Sequence, residues 1–237
     1  MSCVIGVDLL HDLKKRPLNG LSQVRIRLRN DAIALIEAEG LVEDAAYSYN
    51  IVALERPATA AMTSFLAGGE TINAPLLLPA SGELTALGCG ACTIGPQLGQ
   101  RSTSLFAEKR ASLAIALDEV GNEMLFALGR RLQDRMLSET MRKRLTMAGE
   151  LHAGDPGLDI SAQAAVLRLA GGDSIGIGLH QGHLLTPLKS GSVVYGVGKN
   201  LPEVSWSRCD SCPSKEKCSL GRRPKKLPPP ALQLAAS

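Results

Sequence analysis

Five of the six cysteines fall at short spacings. Cys209, Cys212 and Cys218 form CxxCx5C within the basic stretch RCDSCPSKEKCSLGRR, and Cys89 and Cys92 form a second CxxC. Thiolates are soft ligands for zinc and for iron–sulfur clusters, and CxxC on a tight turn lets two sulfurs converge on one metal. Three cysteines leave a closed tetrahedral zinc site one ligand short. Cys92, or Cys89, completes the set if the fold brings it close, and a cubane cluster can instead leave one iron open to an outside ligand. The PSKEK segment between Cys212 and Cys218 is too polar for a core, and the flanking Arg and Lys residues favour thiolates. Two readings stand for this segment, a metal site (zinc or iron–sulfur) and reduced surface thiols. The histidines carry less: His180 and His183 make HxxH without further ligands nearby in sequence, which suits a turn, and His11 has no chemical context.

The elements that must position these groups belong to a chain of 237 residues, 45% hydrophobic and 21% charged, the composition of a soluble globular protein. That length can bury a sizeable core without covalent staples. Aromatics are only 3%, so the core rests on Leu, Val, Ile and Ala. A net charge of +3, much of it near the C-terminus, is too small to argue for nucleic acid. The opening MSCVIGVDLLHDLKKRPL has a short apolar run, but no basic region before it and no small-residue cleavage site. No apolar run approaches the ~18 to 20 residues of a membrane span. A cytoplasmic location follows as an expectation, and a disulfide framework fits poorly with it.

Along the chain, SQVRIRLRND alternates apolar and cationic residues and predicts a half-buried antiparallel strand with an arginine face. Asn30 or Asp31 can cap a following helix that Gly40 ends. A short helix is expected after Pro57, stopping at AGGE, and ELTALGCGACTIG reads as a buried strand opening into a glycine-rich turn. The longest helical pattern runs over residues 112–145, with Gly121 and Gly129 as places for a break. HAGDPGLD is a turn cluster, and ISAQAAVLRLAGG a short helix with Ser161 near its start. SIGIGL and SVVYGVG read as strands on either side of HQGHLLTPLKSG, and the proline-rich residues 222–237 as a disordered basic tail. The sum is one α+β domain over residues 1–221, with a twisted, largely antiparallel sheet, flanking helices and a Cys-rich segment at residues 208–221.

Three stretches, in this order and spacing, resemble one family. ACTIGPQLGQRSTSLFAEKRASLAIALDEVGNEMLFAL is similar to its strand ending in Thr-Ile-Gly and the helix that follows, with Leu-Asp and Gly-x-Glu. AGDPGLDISAQ is similar to its Pro-Gly-Tyr-type loop before a helix, and IGIGLHQGHLLTPLKSGSVVYGVG to its last pair of strands. The family is the vitamin B12-dependent methionine synthase activation domain, here resembled by a separate chain over roughly residues 20–223. The resemblance implies a C-shaped α+β fold that binds S-adenosylmethionine in a shallow groove. It also implies that the domain caps the upper face of cobalamin on a partner. In such a system cob(I)alamin sometimes loses an electron, and methyl transfer from S-adenosylmethionine traps the re-reduced state as methylcobalamin. The protein supplies proximity and the cofactors supply the chemistry.

Carried over residue by residue, the resemblance implies a cofactor-binding set of Glu123, His152, Gly154, Asp155 and Tyr195. The family loop reads Arg-x-x-Pro-Gly-Tyr, and its arginine is expected to grip the ligand carboxylate. Here Gly154 matches, Glu150 stands at the arginine position and Asp155 at the tyrosine position, with His152 between them. Glu123, in GNEML, matches an acidic position that could meet the ligand's ammonium, and Tyr195 matches a tyrosine of the last strand pair.

Three functions compete. The first is reactivation of a cobalamin-dependent methyltransferase of split methionine synthase type, by reductive methylation with S-adenosylmethionine. The second is a redox reactivator, with Cys209, Cys212, Cys218 and Cys92 holding an electron-relay cluster fed by an electron donor protein. The third is a non-catalytic module that binds and shields a corrinoid protein. The implied partner is a cobalamin-binding protein or truncated methionine synthase, with no nucleic acid and no membrane. No Ser-His-Asp set, Walker loop or dinucleotide fingerprint is present, and GGDSIGIG has the wrong spacing for a nucleotide loop.

Overall fold

In the computed structural model, which describes residues 3–16, 18, 20–59 and 62–202, the first element is helix α1 (Cys3–Lys14). It buries Leu9, Leu10 and Leu13, over an apolar run to which the sequence reading assigned no element. Helix α2 (Gln23–Glu39) follows, and it corrects the expected strand. Ser22 caps it by accepting a hydrogen bond from the Arg25 N–H, and Gly40, at φ 63°, ends it. Asn30 and Asp31 lie inside the helix instead of capping it. Alternation misleads here because Val24 is 68% exposed, while Ala32, Ile33 and Ile36 form the buried stripe at helical spacing. Two of the helix's arginines are engaged, Arg25 with Glu119 and Arg29 with Glu123.

Strand β1 (Ala46–Ala53) is followed by a hairpin of β2 (Ser64–Ala67), where a helix was expected, and β3 (Glu70–Asn73). Phe65 and Ala67 point into the core and alternate with half-buried neighbours, a period of two. Gly68 and Gly69, at φ 55° and 76°, make the turn that a helix reading took for a stop signal. Strand β4 (Glu83–Thr93), helix α3 (Gln97–Ala107) and helix α4 (Ala111–Arg142) come next. The last is unbroken through Gly121 and Gly129. A Cβ at Gly121 would lie 2.8 Å from Leu98 Cδ2, so this glycine lets α3 approach closely rather than kinking the helix.

Strand β5 (Thr146–Leu151) leads through a loop to helix α5 (Gln163–Ala170). Only residues 178 and 179 of the expected SIGIGL strand are extended; Gly172–Ile175 is a 3-10 turn. Short strand β6 (Gly178–His180) pairs with β7 (Leu184–Thr186), which lies in the segment expected to be a connection. Strand β8 (Ser190–Lys199) ends the fold. The main sheet has the order β1-β4-β8-β5, antiparallel throughout. The α+β architecture and antiparallel sheet therefore stand as expected.

The sheet is buried on both faces. One face carries α4 with α1, α2 and α3 around Leu117, Met124, Leu128, Leu132 and Met136. The other carries α5 and the β2–β3 hairpin around Phe65, Leu87, Val166 and Val194. Gly88 and Gly90 let α4 settle on β4: a Cβ there would lie 2.7 Å from Met136 Cε and 2.8 Å from Leu132 Cδ2. Lys189 pins the start of β8 to α4, its Nζ 2.6 Å from both Asp118 Oδ1 and Asn122 Oδ1. Among the described residues no helix is long and apolar enough to cross a membrane. The Cys-rich segment and the basic tail lie outside the described residues.

Candidate functional site

The loop leaving β5 gathers three of the expected site residues. The Leu151–Val194 pairing holds its start against β8, and Leu158, buried in the α5-side core, anchors its far end. Between them the chain folds on itself: Asp155 N–H donates to the His152 carbonyl at 2.9 Å, Leu158 N–H to the Asp155 carbonyl at 3.1 Å, and Gly154 N–H to the Leu158 carbonyl at 2.9 Å. The Asp155 carboxylate accepts from the His152 N–H at 3.2 Å. Gly154 and Gly157 take φ of 94° and 87°, left-handed values that a side chain would strain.

The His152 ring is held at both nitrogens. Nδ1 lies 2.7 Å from the Ser192 carbonyl oxygen, and Nε2 lies 3.1 Å from Glu150 Oε1. A carbonyl only accepts, so Nδ1 carries a proton. A hydrogen bond between Nε2 and Glu150 then needs a second proton, on the imidazole or on the carboxyl. The Ser192 hydroxyl also accepts from Gln163 Nε2 at 2.8 Å, tying α5 to the same point. Ser192 and Gln163 were missed by the sequence reading, and nothing in their spacing marks them. The rim is apolar: Ile160 Cδ1 sits 3.5 Å from where a Gly154 Cβ would be, Leu76 lies against Gly157, and both are partly exposed.

Beyond the loop, a cleft of about 590 Å³ runs between β3 and α5, lined by Glu70, Asn73, Asp159, Ser161, Ala165 and Arg168 among others. Arg168 Nη2 donates to Glu70 Oε2 at 2.9 Å across it, and this hydrogen bond holds the Glu70 carboxyl below its usual range. Hydrogen bonds from the Ser161 hydroxyl and backbone N–H likewise lower Asp159.

The remaining candidates stand elsewhere. Glu123 faces α2 and α1, its Oε1 2.6 Å from Arg29 Nη1 and its Oε2 3.7 Å from Arg16 Nη1. Together with Arg25 on Glu119 at 3.0 Å, this makes a ladder of ion pairs between α2 and α4. Tyr195 is 3% exposed and points into the α4-side core, on the face of the sheet away from the loop. Cys92 points to the same α4 side and Cys89 to the α5 side, because three residues along a strand reverse the side chain. Their CxxC is thus not a two-sulfur clamp of the kind expected at a turn. Burial pushes both thiols up to about 12. Among the described residues no three His, Cys, Asp or Glu side chains gather as metal ligands. Cys209, Cys212 and Cys218 lie outside those residues.

The loop's own Pro-Gly pair is Pro156–Gly157, three residues beyond Gly154. In that register Ala153, not Glu150, takes the arginine position of the resembled motif, and the buried Leu158 takes the tyrosine position. Neither register restores the arginine, and His152 is the one basic residue between positions 150 and 159.

No family model and no curated protein matches this chain. Among solved structures, the fold is similar to that in the crystal structure of the MetH reactivation domain bound to AdoHcy, with a TM-score of 0.56 at 12% identity over 82% of this chain and 70% of that one. The described residues thus share the fold of the MetH reactivation domain.

Proposed function

We propose that this chain is a reactivation module that holds S-adenosylmethionine against a corrinoid carried by a partner protein. The observation that carries the reading is the shared fold with a reactivation domain that was crystallised with S-adenosylhomocysteine. The loop after β5 supports it. Two left-handed glycines bring backbone close to a ligand, a partly exposed His152–Glu150 pair supplies polar contacts, and Ile160 and Leu76 supply apolar ones. The cobalamin belongs to the partner and supplies the cobalt nucleophile. One external electron converts cob(II) to cob(I). The sulfonium methyl then passes to cobalt as its bond to sulfur breaks, giving methylcobalamin and S-adenosylhomocysteine. This chain's part is to orient the sulfonium and exclude water. The metal reading of Cys209, Cys212, Cys218 and Cys92 belongs to the competing redox proposal, in which an electron donor protein feeds a cluster.

Calorimetric titration with S-adenosylhomocysteine tests the ligand half of this proposal. Binding is expected for the wild-type chain. Gly154→Val should weaken it at least tenfold, because a β-branched residue at φ 94° costs on the order of 1 to 3 kcal/mol and redirects the loop. A wild-type chain that takes up no S-adenosylhomocysteine would favour the redox reading instead.

A further inference from the structure

The His152–Glu150 pair places a titratable cation where the loop has no permanent one. Ser192 fixes the tautomer: its carbonyl accepts a hydrogen bond from Nδ1–H, so Nε2 is the ring atom whose protonation changes. In the neutral ring Nε2 is an acceptor, and in the imidazolium it is a donor. The side chains of His152 and Glu150 are 25% and 35% exposed, so a ligand can reach both. The charged groups facing His152 are Glu150, from β5, and Asp155, within its own loop. From β8 and α5 the hydrogen bonds among the described residues bring the neutral Ser192 and Gln163.

Resting on the reading above, we propose that His152 is a proton-gated anchor for the amino-acid end of the S-adenosyl ligand. Protonated, it donates from Nε2 to the ligand's α-carboxylate, while Glu150 accepts from the ligand's α-ammonium. The two protein atoms lie 3.1 Å apart, close enough for one α-amino acid to meet both with its own two charges. Glu150 therefore recognises half of the zwitterion, although it would repel a lone carboxylate. An arginine in this place would grip at any physiological pH; His152 grips only in its protonated form. The carboxylate and ammonium of the ligand do not change charge in that interval, so the pH response belongs to the protein.

The test is calorimetry with S-adenosylhomocysteine at pH 5.5 and pH 8.0. 5′-Methylthioadenosine, which lacks the amino-acid end, serves as control, and thermal melts verify folding. Wild-type affinity for S-adenosylhomocysteine should fall on the order of tenfold from pH 5.5 to pH 8.0, because only the protonated ring donates from Nε2 while Nδ1–H stays on the Ser192 carbonyl. His152→Asn retains an N–H for the Ser192 carbonyl and should bind without this pH response. Glu150→Gln should bind more weakly than wild type at pH 5.5, and 5′-methylthioadenosine should show no pH response with any variant. Wild-type binding that is equal at the two pH values, or a response that survives in His152→Asn, overturns the gate and leaves the proposed function standing. Absence of binding at both pH values overturns both.

Discussion

Glu123→Ala is expected to cost about 3 kcal/mol of folding stability and to leave S-adenosylhomocysteine affinity unchanged. Arg29 is only 8% exposed, and its guanidinium meets Glu123 Oε1 at 2.6 Å and the Leu13 carbonyl at 3.5 Å. Taking away the carboxylate leaves a buried cation with too little compensation, and that penalty is larger than the net worth of the pair. Arg16, at 3.7 Å and more exposed, contributes less. Glu123→Gln keeps a hydrogen-bond acceptor and should lose less than Glu123→Ala. Urea denaturation of the three proteins measures this. If Glu123→Ala keeps its stability and loses ligand affinity, the side chain belongs to the ligand site and the helix ladder is incidental.

The second large effect lies where α4 meets the sheet. Leu132 is buried over Gly90, and Leu132→Ala should cost about 2 to 5 kcal/mol through lost burial and the cavity left behind. Gly90→Ala should cost about 1 to 3 kcal/mol, because its Cβ would sit 2.8 Å from Leu132 Cδ2. In the double variant the new methyl enters space that Leu132 has vacated, so the combined loss should be smaller than the sum. Denaturant curves for the four proteins give the coupling directly. Additive losses would mean that α4 and β4 do not meet at this point.

Periodicity in the sequence located α4, β4 and β8, because long buried elements repeat their apolar residues many times. It misjudged α2, where three alternating apolar residues outweighed a helical stripe formed mostly downstream of them, at Ala32, Ile33 and Ile36. Strand β2 was read as part of a helix because it has only four residues, too few for a period to show. The candidate site divides in a similar way. His152, Gly154 and Asp155 are close in sequence and arrive together on one loop. Glu123 and Tyr195 were drawn in by the resemblance, but the first serves an ion-pair ladder and the second faces the other side of the sheet. Ser192 and Gln163 meet His152 only through β8 pairing and α5 packing, contacts that no local pattern encodes.

The central claim is that this chain makes S-adenosylmethionine the methyl source for a stalled corrinoid on a partner. The most direct measurement mixes the chain, without oxygen, with a corrinoid-bearing methyltransferase in the cob(II) state and a one-electron reductant. The cobalt spectrum is followed with and without S-adenosylmethionine. With it, methylcobalamin and an equal amount of S-adenosylhomocysteine should form, because methylation drains the unfavourably reduced cobalt. Without it, or without this chain, cob(II) should persist. Equal loss of cob(II) in the presence and absence of S-adenosylmethionine would contradict the claim and make the protein a redox reactivator.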